Sequence, residues 1–392
     1  MTTLNWRDLK PHVPLGPGDA LYVERPGSAG EEIAQWILAD RSPLLIGGPA
    51  GIGKSTEVAR AAELLQPERV ACLVQLDRFE NMRRLTPDRM RLRIIQKVGY
   101  LAQQVLRLPL SADLSTAIES VNAELDGTAF EPGAHGSTSA LLNATVKEVA
   151  RLSRQGQVAL LIDGLEKAPE GPGSQELFEA LAAIRDDVDL VVVIPWHAAF
   201  GPQADTVIRG GERFLPVRAV EVEGHEGHDG RDFLRNLLLL RLALPQESLQ
   251  PEAVVSTVGA TSMDEAREAV AARRSVVEDA IRWSAGVPRV FLQIMADAGS
   301  YAKLRGHGAW PNAEDLSDAC ADQVDSFRRL LLPGDIDSIR VVVGTSGSEL
   351  QLDRKVRLMA HGVLLERVRD GRPILEPHPL VQATIGQGAP DA

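Results

Sequence analysis

Leu44-Leu45-Ile46-Gly47-Gly48-Pro49-Ala50-Gly51-Ile52-Gly53-Lys54-Ser55-Thr56 reads as a buried strand, a glycine-rich turn and the start of a helix. From Gly48 to Ser55 it follows the pattern G-x-x-x-x-G-K-[ST]. The spacing has a physical basis. Glycines let successive backbone N–H groups turn inward around an anion, and the helix that follows points its positive dipole end at the same place. Lys54 is then placed to reach the β and γ phosphates of a nucleotide, and Ser55 to offer its hydroxyl to Mg2+. Gly48, Pro49, Ala50, Gly51, Ile52, Gly53, Lys54, Ser55 and Thr56 are therefore the candidate phosphate-binding residues. They predict a parallel α/β sheet of the P-loop NTPase type.

The rest of the first half supplies what such a sheet needs. Val70–Leu76 reads as a second buried strand closed by Asp77. A helix follows over Pro87–Leu106, then a Gly- and Pro-rich loop around Gly127–Gly136, then a helix over Ser139–Arg154. Val158–Ile162 is an apolar strand ending in Asp163-Gly164-Leu165-Glu166. An acid at that point suits Mg2+, held through its water shell, and Glu166 is placed to orient or activate an attacking water. A helix over Ser174–Ile184 precedes the strand Leu190–Ile194, which ends in Pro195-Trp196-His197. A polar group there would lie beside the γ-phosphate, so His197 is a candidate for sensing it. A structural hydrogen-bonding histidine is the competing reading. The fifth strand is expected around Val217–Val222. Arg209, Arg213 or Arg218 beside it is a candidate arginine finger, with surface ion pairing as the default.

Upstream of the loop, residues 1–20 are Pro- and Gly-rich and predict an irregular lead-in. Leu21–Arg25 predicts a short extended segment. Tyr22 and Val23 read equally as walls of a base pocket or as core residues. Ser28 and Glu31 have capping-box spacing ahead of the helical pattern Ile33, Trp36 and Ile37.

From about Gly224 the pattern turns helical. Phe233–Leu240, Val276–Ser284 and Val290–Ala302 read as helices, the last two joined by Gly286-Val287-Pro288-Arg289. A proline at that turn can pack on a flat ligand, with Arg289 facing phosphates. Helices at Asp315–Leu331, Asp335–Val343 and Asp353–His361 precede a hairpin, Leu364–Val368 and Pro373–Glu376, around Asp370-Gly371. Three helices and a two-stranded wing describe a winged helix, with His378 just beyond it. The expected domains are a lead-in at 1–20, an ATPase core at 21–223, a helical lid at 224–308, a winged helix at 309–385 and a tail at 386–392.

Composition narrows the partners. The chain of 392 residues is 44% hydrophobic and 24% charged, with a formal net charge of −12, which argues against general polyanion binding. Residues 319–392 carry nine Lys and Arg against ten Asp and Glu, a poor basis for DNA binding despite Arg354, Lys355 and Arg357 on one helix. Cys72 and Cys320 are the only cysteines, which excludes a disulfide framework and suits a cytoplasmic protein. No signal pattern begins the chain and no run is long enough to span a bilayer, so no membrane attachment is expected.

In their order, Gly48–Ser55, Leu160–Glu166, Gly286-Val287-Pro288 and the winged helix closing with His378 resemble the signal-transduction ATPases called STAND. These include the NACHT and NB-ARC groups and are relatives of the AAA+ and origin-recognition ATPases. The resemblance covers roughly residues 20–385. It implies ATP and ADP as ligands, Pro288 against adenine, and His378 on the ADP β-phosphate holding a closed state. It implies a nucleotide-controlled switch that assembles with a protein partner or with further copies of itself. The runner-up is an AAA+-like DNA-associated ATPase, a loader or a regulator of transposition or replication, whose winged helix contacts DNA. Two departures stand out. The family usually has two acids after Gly-Leu, whereas Lys167 follows Glu166 here. The strand that often ends in Thr or Arg ends here in Pro195-Trp196-His197. No fixed-period repeat is present to serve as a built-in sensor, so a signal is expected to come from a separate protein or an oligomer.

Overall fold

The computed structural model describes residues 4–10, 13, 15–128, 136–168, 171–199, 214–224, 227–249, 262–343 and 345–386. Its contacts divide the chain into two units, one built from Ser28–Gly48 and Lys54–Val217, the other from Met1–Gly27, Pro49–Gly53 and Arg218–Ala392.

The first unit runs α1 (Ala29–Leu38), β1 (Leu44–Gly47), α2 (Lys54–Leu65), β2 (Val70–Gln75), α3 (Pro87–Tyr100), α4 (Ala112–Leu125), α5 (Thr138–Leu152), β3 (Val158–Asp163), α6 (Pro172–Ala182), β4 (Asp189–Val193), the short α7 (Trp196–Ala199) and β5 (Phe214–Pro216). Its five strands form one parallel sheet in the order β2-β3-β4-β1-β5. β1, β3 and β4 are buried at every residue, so both faces of the sheet's centre are covered and the strands read as unbroken apolar runs. β2, at one edge, alternates instead, with Val70, Cys72 and Val74 inward. The register sets the height of each strand end. Val192 pairs with both Ile162 and Leu45, so Asp163 stands level with Val193 and Ile46, two strands and about 10 Å from β1.

Several boundaries differ from the expectation for physical reasons. β5 covers Phe214–Pro216 rather than Val217–Val222. Val217 N–H makes a last bond to Gly47 O at 2.7 Å, and Val220 N–H is instead taken by the Gly286 carbonyl at 3.0 Å. α3 ends at Tyr100 and widens into a π turn over Leu101–Val105. α4 was not expected, although Leu114, Ile118, Val121 and Leu125 are buried at helical spacing. The start of α1 is not a Ser28–Glu31 box. Ser28 Oγ accepts from Gly30 N–H at 3.2 Å and donates to Glu57 of α2 at 2.8 Å, and Glu57 also accepts from Gly30 N–H. Leu21–Arg25 forms no strand.

The second unit contains α8 (His228–Arg241), α9 (Met263–Ser284), α10 (Pro288–Arg305), α11 (Ala313–Arg328), α12 (Asp335–Val342), α13 (Leu352–Ala360), the antiparallel hairpin β6 (Leu364–Arg369) and β7 (Arg372–Pro377), and α14 (Pro379–Gly386). α9 is far longer than the expected Val276–Ser284, because in its first half only Ala266 and Val270 are buried and the apolar signal is weak. Asn312 and Asp315 form a capping box at the start of α11. The hairpin turn uses Asp370 at φ 51° and Gly371 at φ 72°, as a two-residue primed turn requires. Within the lead-in, Trp6–Leu9 forms a 3-10 turn rather than an irregular surface strap. Trp6 is buried against Gly299, donates to the Ala309 carbonyl at 3.1 Å and meets Trp310 edge-on.

The hairpin is tied to residues 218–223 along one edge. Glu366 pairs with Arg218 at 2.7 Å and Arg369 with Glu221 at 3.1 Å. Between them Arg367 is buried and donates to the carbonyls of Ala219 at 3.4 Å, Val220 at 3.2 Å and Ala285 at 2.6 Å. Burial lowers the Arg367 pKa, partly offset by Glu221 and Glu376.

Candidate functional site

β1 delivers the chain to Gly47, where a Cβ would lie 2.5 Å from the Phe214 ring. α2 then begins at Lys54, so its unbonded first-turn N–H groups face the end of the glycine-rich turn. Lys54 is 7% exposed, and its Nζ donates to the Gly48 carbonyl at 2.9 Å. Glu57, one turn further into α2, is buried and holds α2 to the start of α1 through Ser28 and Gly30.

The acid side of the site lies at the carboxyl end of β3. Asp163 is 2% exposed, and its Oδ1 has no hydrogen-bond partner among the described residues. Burial raises its pKa, a Ser55 hydrogen bond and Lys54 pull it down, and Asp77 pushes it up. The carboxylate therefore lies close to both Ser55 and Lys54. Glu166 follows in a 3-10 turn over Leu165–Lys167, with Oε2 buried and unbonded. Its pKa is likewise raised by burial, with Lys54 opposing and Asp163 adding to the rise. Gly164 makes this turn possible. It sits at φ 98°, and a Cβ there would lie 2.8 Å from Asp77 N. Lys167 also helps to lower the Glu166 pKa. It pairs with Asp77, at the end of β2.

Two buried carboxylate oxygens without partners are costly unless a cation or donor answers them. No group of three or more His, Cys, Asp or Glu among the described residues forms a complete metal cage. Mg2+ needs none. It keeps several waters and takes one or two protein oxygens together with phosphates. Ser55 and Asp163 fit that donor set.

The turn residues Pro49–Gly53 belong by their contacts to the second unit. Gly51 is at φ 82° and Gly53 at φ 105°, and a Cβ on Gly51 would lie 2.6 Å from Arg289 Cβ. Arg289 N–H donates to Gly51 O at 3.3 Å, and Ala50 N–H donates to Ala360 O at 3.3 Å. Arg25 is buried and donates to Ile52 O at 2.9 Å and to Arg218 O. Nothing in the sequence singled out Arg25, because its partners lie far along the chain.

Pro288 is half-buried at the first position of α10, and Tyr22 and Val23 are half-buried in the irregular segment before α1. His197 is half-buried in α7, just past β4. Arg218 spends its guanidinium on Glu366. Arg209 and Arg213 lie outside the described residues, as do most of the Gly127–Gly136 loop and residues 387–392. His378 is fully buried and stacked on Phe327 at 4.8 Å between ring centroids, and burial pushes its pKa down to about 3. Arg357 makes two bonds to buried Asp335 at 2.7 and 2.6 Å, Arg354 donates to Ser338 at 2.6 Å, and Lys355 donates to Ser346 O at 2.8 Å. All three cations of that helix are used inside their own module. Cys72 and Cys320 are buried free thiols with pKa pushed up to about 12 by burial. No described helix is long and apolar enough to cross a membrane.

Residues 37–194 match the family model of the AAA ATPase domain. The match makes this stretch similar to AAA-type ATPase domains and spans less than half of the chain. The matched span runs from the end of α1 to the end of β4 and holds the glycine-rich loop, Asp163 and Glu166. The AAA match suggests ATP binding and hydrolysis. A Walker-type ATPase of Pyrococcus abyssi superposes on 94% of this chain and 100% of its own, with a TM-score of 0.51 and 12% identity, a likeness of fold. No curated protein matches the chain.

Proposed function

We propose that the protein is an ATP-hydrolysing switch of the STAND type, in which bound nucleotide controls closure of a helical lid and a winged helix and so controls assembly. The supporting observation is the company kept by Pro49–Gly53. These turn residues bond to Arg25, to Arg289 at the start of α10 and to Ala360 at the end of α13. A phosphate chain in the turn would change the same backbone that these elements grip, and a ligand shifts a conformation only through such differential contacts.

In this reading the loop amides and Lys54 bind the β and γ phosphates, and Lys54 leaves the Gly48 carbonyl to do so. Ser55 and Asp163 would hold Mg2+, which supplies charge neutralisation on the phosphate oxygens. Glu166 orients the attacking water and takes its proton. A carboxylate whose pKa is raised by burial is the better base for that task. His197 lies beyond β4 as the γ-phosphate sensor, and Pro288, with Tyr22 and Val23, walls the adenine. Arg289 reads the phosphates from the start of α10. His378, the expected contact to the ADP β-phosphate, is enclosed against Phe327, so it would meet a phosphate only if that enclosure opened. The partner is a signalling or effector protein, or further copies of the chain. The DNA-contacting alternative gains no support from Arg354, Lys355 and Arg357, which are already engaged.

A direct test compares Glu166→Gln with the unchanged protein for ATP affinity and turnover. The reading expects ATP to bind with similar affinity and turnover to fall by about 100-fold or more. Equal turnover would remove Glu166 from the chemistry.

A further inference from the structure

The chain as a whole is acidic, yet between Arg78 and Lys97 seven Lys and Arg stand against two acids. The structure gathers much of that excess on one face. Arg89, Arg93, Lys97 and Tyr100 recur at i, i+4, i+8 and i+11 on α3, so the rise of the helix sets the three cations about 6 Å apart along its axis. Glu80 is shared between Arg89 at 2.9 Å and Arg93 at 2.5 Å, and Asp88 is taken by Arg91 and Thr138. Arg83 and Arg84 are exposed on the approach to α3, with no ion pair to any described residue. Phe79 is 53% exposed with Arg93 and Lys97 poised at 5.6 and 5.5 Å from its ring centre, and Tyr100 is 58% exposed. Among the described residues these are the only aromatics in the set of large exposed apolar side chains.

We propose that the Phe79–α3 face binds single-stranded nucleic acid, with Arg83, Arg84 and Lys97 tracking phosphates and Phe79 and Tyr100 stacking on bases. Exposed rings flanked by cations match the combination by which proteins hold single strands without reading sequence. An acidic peptide would answer the charge but leave the two rings in water. A duplex keeps its base faces stacked within itself. This face is distinct from the helix that carries Arg354 and does not depend on the switch reading.

The experiment is fluorescence anisotropy of the full chain with labelled oligo(dT), oligo(rU), a duplex of equal length and poly-glutamate over a salt series. Both single strands should bind, DNA against RNA showing whether the 2′-hydroxyl matters. The slope of log affinity against log salt should be roughly −0.7 per phosphate contacted. Phe79→Ala and Tyr100→Ala should each weaken binding about 5-fold or more, and Arg83→Ala with Arg84→Ala should flatten the salt slope. Each variant's melting temperature guards against misfolding. No binding at low salt would overturn the proposal. So would equal binding of poly-glutamate and duplex, insensitivity to both ring variants, or loss of binding on Arg354→Ala instead.

Discussion

Asp163 shows the tension between stability and chemistry in a single side chain. It is enclosed, its Oδ1 is unbonded and its pKa is raised, so ionising it costs the folded state. The folded protein holds that proton more tightly than the unfolded chain, so stability falls as pH climbs above the usual carboxylate range. Asp163→Asn should therefore raise the melting temperature of nucleotide-free protein at neutral pH, an advantage that shrinks as the pH nears 4, while Mg2+-dependent turnover is lost. Calorimetry across pH checks the first part and phosphate release the second. His378 has the opposite sign. Its imidazole stays neutral when folded, with a pKa of about 3, whereas unfolded it takes a proton near 6.5. Stability should then drain away as pH falls from 6.5 toward 3, and urea titrations should show His378→Gln with a shallower loss. Both residues were legible beforehand, one as an acid closing an apolar strand and one as a histidine after a hairpin. Their burial was not, since it depends on elements far along the chain.

The same division separates the elements that pattern reading finds from those it misplaces. β1, β3 and β4 stand out because strands covered on both faces must be continuous apolar runs. The fifth strand is misplaced because Val217–Val222 is equally apolar in pattern. What decides its fate is the competition of the Gly286 carbonyl for Val220 N–H. The clasp between β6 and residues 218–221 is silent in sequence for the same reason. Arg367 is one arginine in a hairpin until the fold sets three carbonyls around it. Arg367→Ala should cost about 2–4 kcal/mol in urea unfolding, because buried carbonyls lose a charged donor. Arg367→Lys should recover only part, since a point charge cannot reach three acceptors as the guanidinium fork does. The departure at Lys167 also finds its explanation here. Its partner is Asp77, on the neighbouring strand end, so the charge that replaces a second acid steadies the turn that carries Glu166.

At the scale of the whole molecule, the turn Pro49–Gly53 groups with Met1–Gly27 and Arg218–Ala392, while the strand before it and the helix after it group with the sheet. The turn's glycines were read for what they offer a nucleotide. In the structure Gly51 also offers closeness to Arg289, and Ala50 an N–H to Ala360. A switch reading therefore rests on two demands made of one turn. The most direct test is the solution mass of Glu166→Gln, by size-exclusion chromatography with light scattering, in Mg2+ with ADP and then with ATP. The switch predicts one compact species with ADP and a larger assembly with ATP. An identical mass and elution volume in both nucleotides would contradict it.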